Sequence, residues 1–198
     1  MKTDKPYKAN IQANESLPMQ FFQVERKHQQ IILDWFKMEH VKEFYYGEGL
    51  QNTLHNLELY CQGINNNGKY SFDHWIAFLG DDPFGFLMTS PLEKANNPNN
   101  AECYVKDKQT FTLDLLIGPK EFLGRGLASR MIQEFILDKY SHADYFIIDP
   151  AKSNPKAIHV YAKAGFQTID EFCPSYDPIP HVMMRMAVKD LKDPTLKD

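Results

Sequence analysis

The chain has 198 residues, 43% of them hydrophobic and 13% aromatic, with a formal net charge of -4 at pH 7. That is enough length and apolar surface for one domain with its own core, and the acidic balance argues against a nucleic-acid partner. The negative mean hydropathy and the lack of an apolar run of bilayer length exclude an integral membrane protein.

The first residues (MKTDKPYKANIQANESLP) carry neither an apolar stretch nor a period, so residues 1–18 are expected to form a flexible arm on a cytoplasmic protein. A single domain is expected over 19–190, followed by a short tail over 191–198. Met19 to Val24 reads as a strand, and Ile31, Ile32, Trp35 and Phe36 mark one face of a helix. After the aromatic and acidic stretch His40 to Glu48, the leucines from Leu50 to Gln62 predict a second helix, stopped at Gly63. Trp75–Leu79 and Phe84–Met88, joined by Gly80-Asp81-Asp82-Pro83, predict a hairpin. An Asn/Pro-rich loop (KANNPNNAE) then leads to a strand over Thr110–Ile117 with one acid, Asp114, in its middle.

Gly118-Pro119 opens a loop into an amphipathic helix carrying Leu127, Met131, Ile132, Phe135 and Ile136 on one side. Tyr145–Ile148 is the next strand, to be paired in parallel with the one holding Asp114. Ser153 or Asn154 can cap a helix with Pro155 in its first turn and Gly165 beyond its end. Phe166–Phe172 and His181–Val188 supply the last strands, and Lys189 to Asp198 reads as a charged surface terminus. The fold class is therefore α+β, or α/β with a mixed sheet. Cys61, Cys103 and Cys173 lie far apart and the seven histidines show no paired spacing, so no disulfide and no metal site is expected.

The segment Glu121-Phe122-Leu123-Gly124-Arg125-Gly126-Leu127-Ala128 joins a strand to a helix, where backbone N–H groups can converge on an anion. It lacks the Gly-Lys-Ser/Thr of a nucleoside triphosphate loop, and it has neither the third glycine nor the ribose-binding acid of a dinucleotide site. The loop resembles the Gln/Arg-x-x-Gly-x-Gly/Ala signature of the GNAT (GCN5-related N-acetyltransferase) superfamily, with Glu121 departing from the pattern at its first place. Asn154-Pro155-Lys156-Ala157-Ile158-His159-Val160-Tyr161-Ala162-Lys163-Ala164-Gly165-Phe166 is similar to the same family's Asn-x-x-Ala-x-x-x-Tyr-x-x-x-Gly-Phe segment.

Within that family the resemblance is to bacterial aminoglycoside 6'-N-acetyltransferases, carried by Leu113-Asp114-Leu115-Leu116-Ile117-Gly118, Asp149-Pro150 and Asn154-Pro155-Lys156-Ala157-Ile158. Siderophore N-hydroxylysine acyltransferases look alike around Asp82–Phe86 and Leu116–Pro119, but carry His where this chain has Asp114. Protein N-acetyltransferases are a third alternative.

The resemblance implies a mostly antiparallel sheet with one splayed parallel pair, flanked by helices, and acetyl-CoA as cofactor. It implies cofactor contacts from Leu115, Leu116 and Ile117, from Phe122, Leu123, Gly124, Arg125, Gly126, Leu127, Ala128 and Ser129, and from Asn154, Ala157, Tyr161 and Lys163. The acceptor would be a small-molecule amine, met by a monomer or homodimer. Asp114, desolvated among Leu and Ile, would be the general base, and Tyr161 would protonate the departing thiolate. Taken without the resemblance, an acid in such a strand more often pairs with a backbone group or a lysine. Trp35, Glu43, Tyr46, Trp75 and Asp114 are the candidate acceptor contacts, with Tyr45, Glu48 and His74 beside them, since aromatics and acids suit a polyamine or an aminosugar.

Overall fold

The computed structural model describes residues 17–93, 105–174 and 178–192. Most of the expected N-terminal arm, the Asn/Pro-rich loop with Cys103, and residues 193–198 of the expected tail lie outside them. The elements in order are β1 (Met19–Gln23), α1 (Gln29–Phe36), α2 (Glu39–Lys42), α3 (Gly47–Cys61), β2 (Asp73–Leu79), β3 (Asp82–Pro91) and β4 (Thr110–Ile117). They continue with α4 (Leu127–Lys139), β5 (Tyr145–Ile148), α5 (Pro155–Ala164), β6 (Gln167–Phe172), β7 (His181–Ala187) and α6 (Val188–Lys192).

The strands form one seven-stranded sheet in the order β1-β2-β3-β4-β5-β7-β6. Only β4 and β5 run parallel; the other neighbours are antiparallel. Strand alternation sends side chains to two cores. Ala77, Leu87, Leu113 and Ile117 join Leu127, Met131, Ile132, Phe135 and Ile136 of α4, so the apolar stripe read in that helix is its buried face. Ile76, Phe86, Met88 and Leu116 pack instead with Ile32, Trp35, Phe36 and Leu57 of the N-terminal helices.

Two local details differ from the sequence reading. The hairpin turns on Gly80 and Asp81 alone, because Leu79 pairs with Asp82. Gly80, at φ 60, supplies the left-handed residue that a two-residue turn needs. Pro83 enters β3 beside the register shift at Ala77/Phe78, where a missing N–H is tolerated. The C-terminal stretch, read as a charged surface terminus, begins with a helical turn instead. Val188 and Leu191, three residues apart, both turn toward the α4-side core, and Val188 is fully buried.

The feature that makes a site is a fork in the sheet. β4 and β5 pair at Thr110–Tyr145, Phe111–Phe146 and Thr112–Ile147, and no further. β4 continues along β3 as far as Ile117, whereas the chain after Ile148 meets Asp149 and then Pro150, which has no N–H for a ladder. Beyond Thr112, among the described residues, β4 therefore has a β3 neighbour on one edge and an opening on the other.

Candidate active site

One end of the fork is closed by the start of α4. Gly124 and Gly126 both adopt positive φ, 73 and 72, and Gly126 is the N-cap of a helix that no side chain caps. The first-turn N–H groups, which have no partner inside the helix, point out of its N-terminus along the positive end of its dipole. Phe122 and Leu127 bury their side chains, at 2% exposure each, and so pin the loop to the core while its backbone faces outward. A Cβ on Gly124 would meet nothing within 4 Å, and one on Gly126 would lie 3.9 Å from the Lys163 ammonium. Open main-chain donors, a helix dipole and a lysine at the rim fit a diphosphate.

The fork itself offers strand edge. Gly118 N–H donates to Phe84 O, and Thr110 O accepts from Leu92 N–H, so the even-numbered residues of β4 face β3. Leu113, Leu115 and Ile117 turn their backbone groups to the open side. Asp114 faces the other way in the pleat, opposite Met88 on the side of the N-terminal helices. Asn154 starts α5, its Oδ1 accepting from Ala157 N–H at 3.1 Å, and Gly165 ends it in the left-handed region at φ 114.

Four further groups share Asp114's surroundings. Water reaches the Asp114 carboxyl, which is exposed in surface terms, yet protein walls displace bulk solvent around it. That desolvation, then the negative charge of Asp149, pushes its pKa up to about 7, opposed by His181. The Tyr161 phenol is pushed up by desolvation first, and then by Asp114 and Asp149. Tyr45 is raised by the same desolvation and by Asp114 and Tyr161, and its hydroxyl donates to Leu115 O at 2.9 Å. Behind them, His181 Nδ1 lies 2.7 Å from Asp149 O and 3.3 Å from Asp149 Oδ2. A carbonyl only accepts, so Nδ1 carries the proton. The arrangement brings two acids, Asp114 and Asp149, within electrostatic reach of each other and of two phenols that stay protonated at neutral pH.

A family model described as the acetyltransferase (GNAT) domain matches residues 25–173. The chain belongs to the GNAT acetyltransferases. An aminoglycoside N(6')-acetyltransferase type 1 from Klebsiella pneumoniae is 25% identical over 140 residues, covering 69% of this chain and 68% of that protein. The crystal structure of an aminoglycoside N(6')-acetyltransferase from Legionella pneumophila superposes with a TM-score of 0.78 at 35% identity, covering 89% of this chain and 95% of that one. AAC(6')-Ib in complex with ribostamycin and coenzyme A has the same fold, with a TM-score of 0.73 at 20% identity over 91% and 99% of the two chains. Acetyl-CoA is the acetyl donor of GNAT enzymes, and the open loop at α4 and the forked sheet suit its diphosphate and its extended arm.

The GNAT frame gathers most, not all, of the residues singled out in the sequence. Leu115 and Ile117 lie on the open edge of β4, Leu123, Gly124, Arg125 and Gly126 form the loop, Lys163 reaches it, Tyr161 shares Asp114's surroundings, and Ala128 packs against the α4-side core. Ser129 is buried, with its hydroxyl donating to Gly126 O, and the Leu116 side chain lies in the helix-side core. Asn154 and Ala157 meet each other across the α5 cap.

The acceptor candidates separate. Glu43 and Tyr46 are exposed on the segment after α2, and Glu48 lines a surface hollow of about 530 Å³ with Gly47, Gln51, Asn52 and Lys69. Trp35 is a core residue instead, 2% exposed, with its indole so close to Gly118 that a Cβ there would lie 2.3 Å away. Trp75 packs on Phe135 and Tyr140 on the α4 face, opposite to Asp114. His74 is sealed among Tyr60, Phe72 and Phe86. Sequence reasoning passed over Asp149 and His181 as site groups. The available signal was an acid at the C-terminal end of a short apolar strand, where open sheets hold their ligands.

Proposed function

We propose that this GNAT enzyme acetylates a primary amine of a small cationic molecule, with an aminoglycoside 6'-amine as the acceptor. The observation that carries the reading is Asp114: a carboxyl at the fork whose proton affinity suits the pH at which an enzyme works. When bound, acetyl-CoA supplies a thioester whose C–S bond breaks as the new C–N bond forms. An ammonium has no lone pair, so Asp114 takes one proton from the acceptor before its nitrogen attacks, and the second leaves that nitrogen as the amide forms and restores the one that Tyr161 gives up. Tyr161, whose phenol burial keeps protonated, gives its proton to the departing sulfur. The Leu115 and Ile117 N–H groups on the open edge of β4 align the acyl donor like an added strand and polarise its carbonyl. Asp149 adds a second negative charge that attracts a polycation, and the relatives named for aminoglycoside acetylation support that class of acceptor.

The test is product mass spectrometry after incubation with acetyl-CoA and, separately, tobramycin, kanamycin and N-hydroxylysine. A single acetyl group on the aminoglycosides supports the reading. Acetylation of N-hydroxylysine alone, or of protein alone in a cell extract, would replace it.

A further inference from the structure

The open edge of β4 is not bare. Past Thr112, the carbonyls that would have met a strand on the β5 side are those of Leu113, Leu115 and Ile117. Two of them are already engaged by side chains from far along the chain. Tyr45 donates its hydroxyl to Leu115 O at 2.9 Å, 70 residues away. His40 Nε2 lies 3.0 Å from Ile117 O, 77 residues away, and because that partner is a carbonyl, Nε2 carries the proton. Both donors come from α2 and the residues just after it. This short segment is anchored by Val41, 3% exposed, and by the edge-on packing of Tyr45 against Phe36, with ring centroids 5.4 Å apart.

We infer that His40 and Tyr45 are positioning residues for the pantetheine arm of the cofactor: they occupy two of the three open-side carbonyls of β4 and hold its neighbouring N–H groups at the angle that an added strand requires. An unpaired strand edge offers alternating donors and acceptors, which any passing strand can use and which water loosens. With two acceptors satisfied from the helix side, the edge presents chiefly Leu115 N–H and Ile117 N–H. That pattern selects a ligand rich in carbonyls, such as two amides and a thioester in line. The same segment carries Glu43 and Tyr46, both exposed. The inference rests on the fork as the seat of the pantetheine arm.

Coenzyme A and its pantetheine-free fragment, adenosine 3'-phosphate 5'-diphosphate, separate this role from a general one, because only the former reaches β4. Calorimetric titration of each into wild type, Tyr45→Phe, His40→Leu and His40→Gln reads the effect without turnover. Tyr45→Phe and His40→Leu should each weaken coenzyme A by about five- to tenfold, as expected for one lost positioning hydrogen bond, while the fragment binds within about twofold of wild type. His40→Gln, which keeps an N–H near the same place, should bind coenzyme A as wild type does. Unchanged coenzyme A affinity in both Tyr45→Phe and His40→Leu overturns the inference, and so does an equal loss for coenzyme A and fragment. A folded wild type that binds the fragment but gains nothing from the pantetheine arm would overturn the fork assignment itself.

Discussion

Replacing Asp114 by Asn should remove the acid limb of the pH–rate profile. Desolvation and the charge of Asp149 raise the Asp114 pKa to about 7, so the carboxylate that accepts the proton dominates only above that pH. Activity must then rise with pH. One unit below the pKa about a tenth of the enzyme has the ionised base, and two units below about a hundredth, so kcat/KM should fall roughly tenfold per pH unit on that side. Asp149→Asn removes one of the two raising influences and should move the limb to lower pH. Asp114→Asn should lower the plateau by about 10²- to 10⁴-fold, the range for loss of a positioned general base, and leave coenzyme A affinity intact. Initial rates of thiol release from about pH 5 to about pH 9 measure all three profiles. Any limb remaining in Asp114→Asn belongs to the acceptor amine. The reasoning is refuted if that variant keeps both the limb near neutrality and the wild-type plateau.

Three other variants test separate parts of the structure. Tyr161→Phe deletes only a hydroxyl and should reduce kcat by about a hundredfold, with little change in coenzyme A binding; an unchanged kcat would remove Tyr161 from the chemistry. Gly118→Ala drives a methyl group to 2.3 Å from the Trp35 indole, a buried ring with no room to retreat, and should cost about 1–3 kcal/mol in denaturant unfolding. An Ala variant as stable as wild type would contradict that packing. His74 is held neutral, its pKa lowered to about 3 by burial. The unfolded chain binds that proton near 6.5, so the stability it contributes is complete above pH 6.5 and is lost as pH falls toward 3. His74→Phe should flatten the acid-side loss of stability by up to about 1.4 kcal/mol per pH unit, and an identical slope in both proteins would show that His74 does not titrate with unfolding.

What the sequence could and could not reveal follows from the range of the interactions involved. α4 and α5 were legible because their signals are local: an apolar stripe, Asn154 capping Ala157, and Gly165 just past the last turn. The parallel pairing of β4 with β5 followed from strand, helix and strand in succession. The fork was not readable from alternation, since it depends on where β5 leaves β4. Nor were the bonds from Tyr45 to Leu115 and from His40 to Ile117, which join residues 70 and 77 positions apart. Trp75 shows a related limit. Alternation says that it and Ile76 point to opposite faces, yet only the pairing of β2 with β3 and of β3 with β4 decides that Trp75 faces α4 while Asp114 faces the N-terminal helices. Trp35 was misplaced because aromatic character marks a pocket wall and a core equally well, and the deciding contact is with Gly118, a residue that has no side chain of its own.

The main-chain donors at the start of α4 are the seat proposed for the cofactor's diphosphate. Calorimetric titration of coenzyme A into wild type and Gly124→Ala tests this most directly, since a methyl group at position 124 meets no other atom of the described residues within 4 Å and so acts on whatever the loop binds. Saturable binding of one coenzyme A per chain, weakened at least about tenfold in a Gly124→Ala protein that still folds, is the predicted result, because backbone strain at a left-handed position costs only about 1–2 kcal/mol. Folded wild type that takes up no coenzyme A, or a Gly124→Ala variant that binds it as tightly as wild type, would contradict the account.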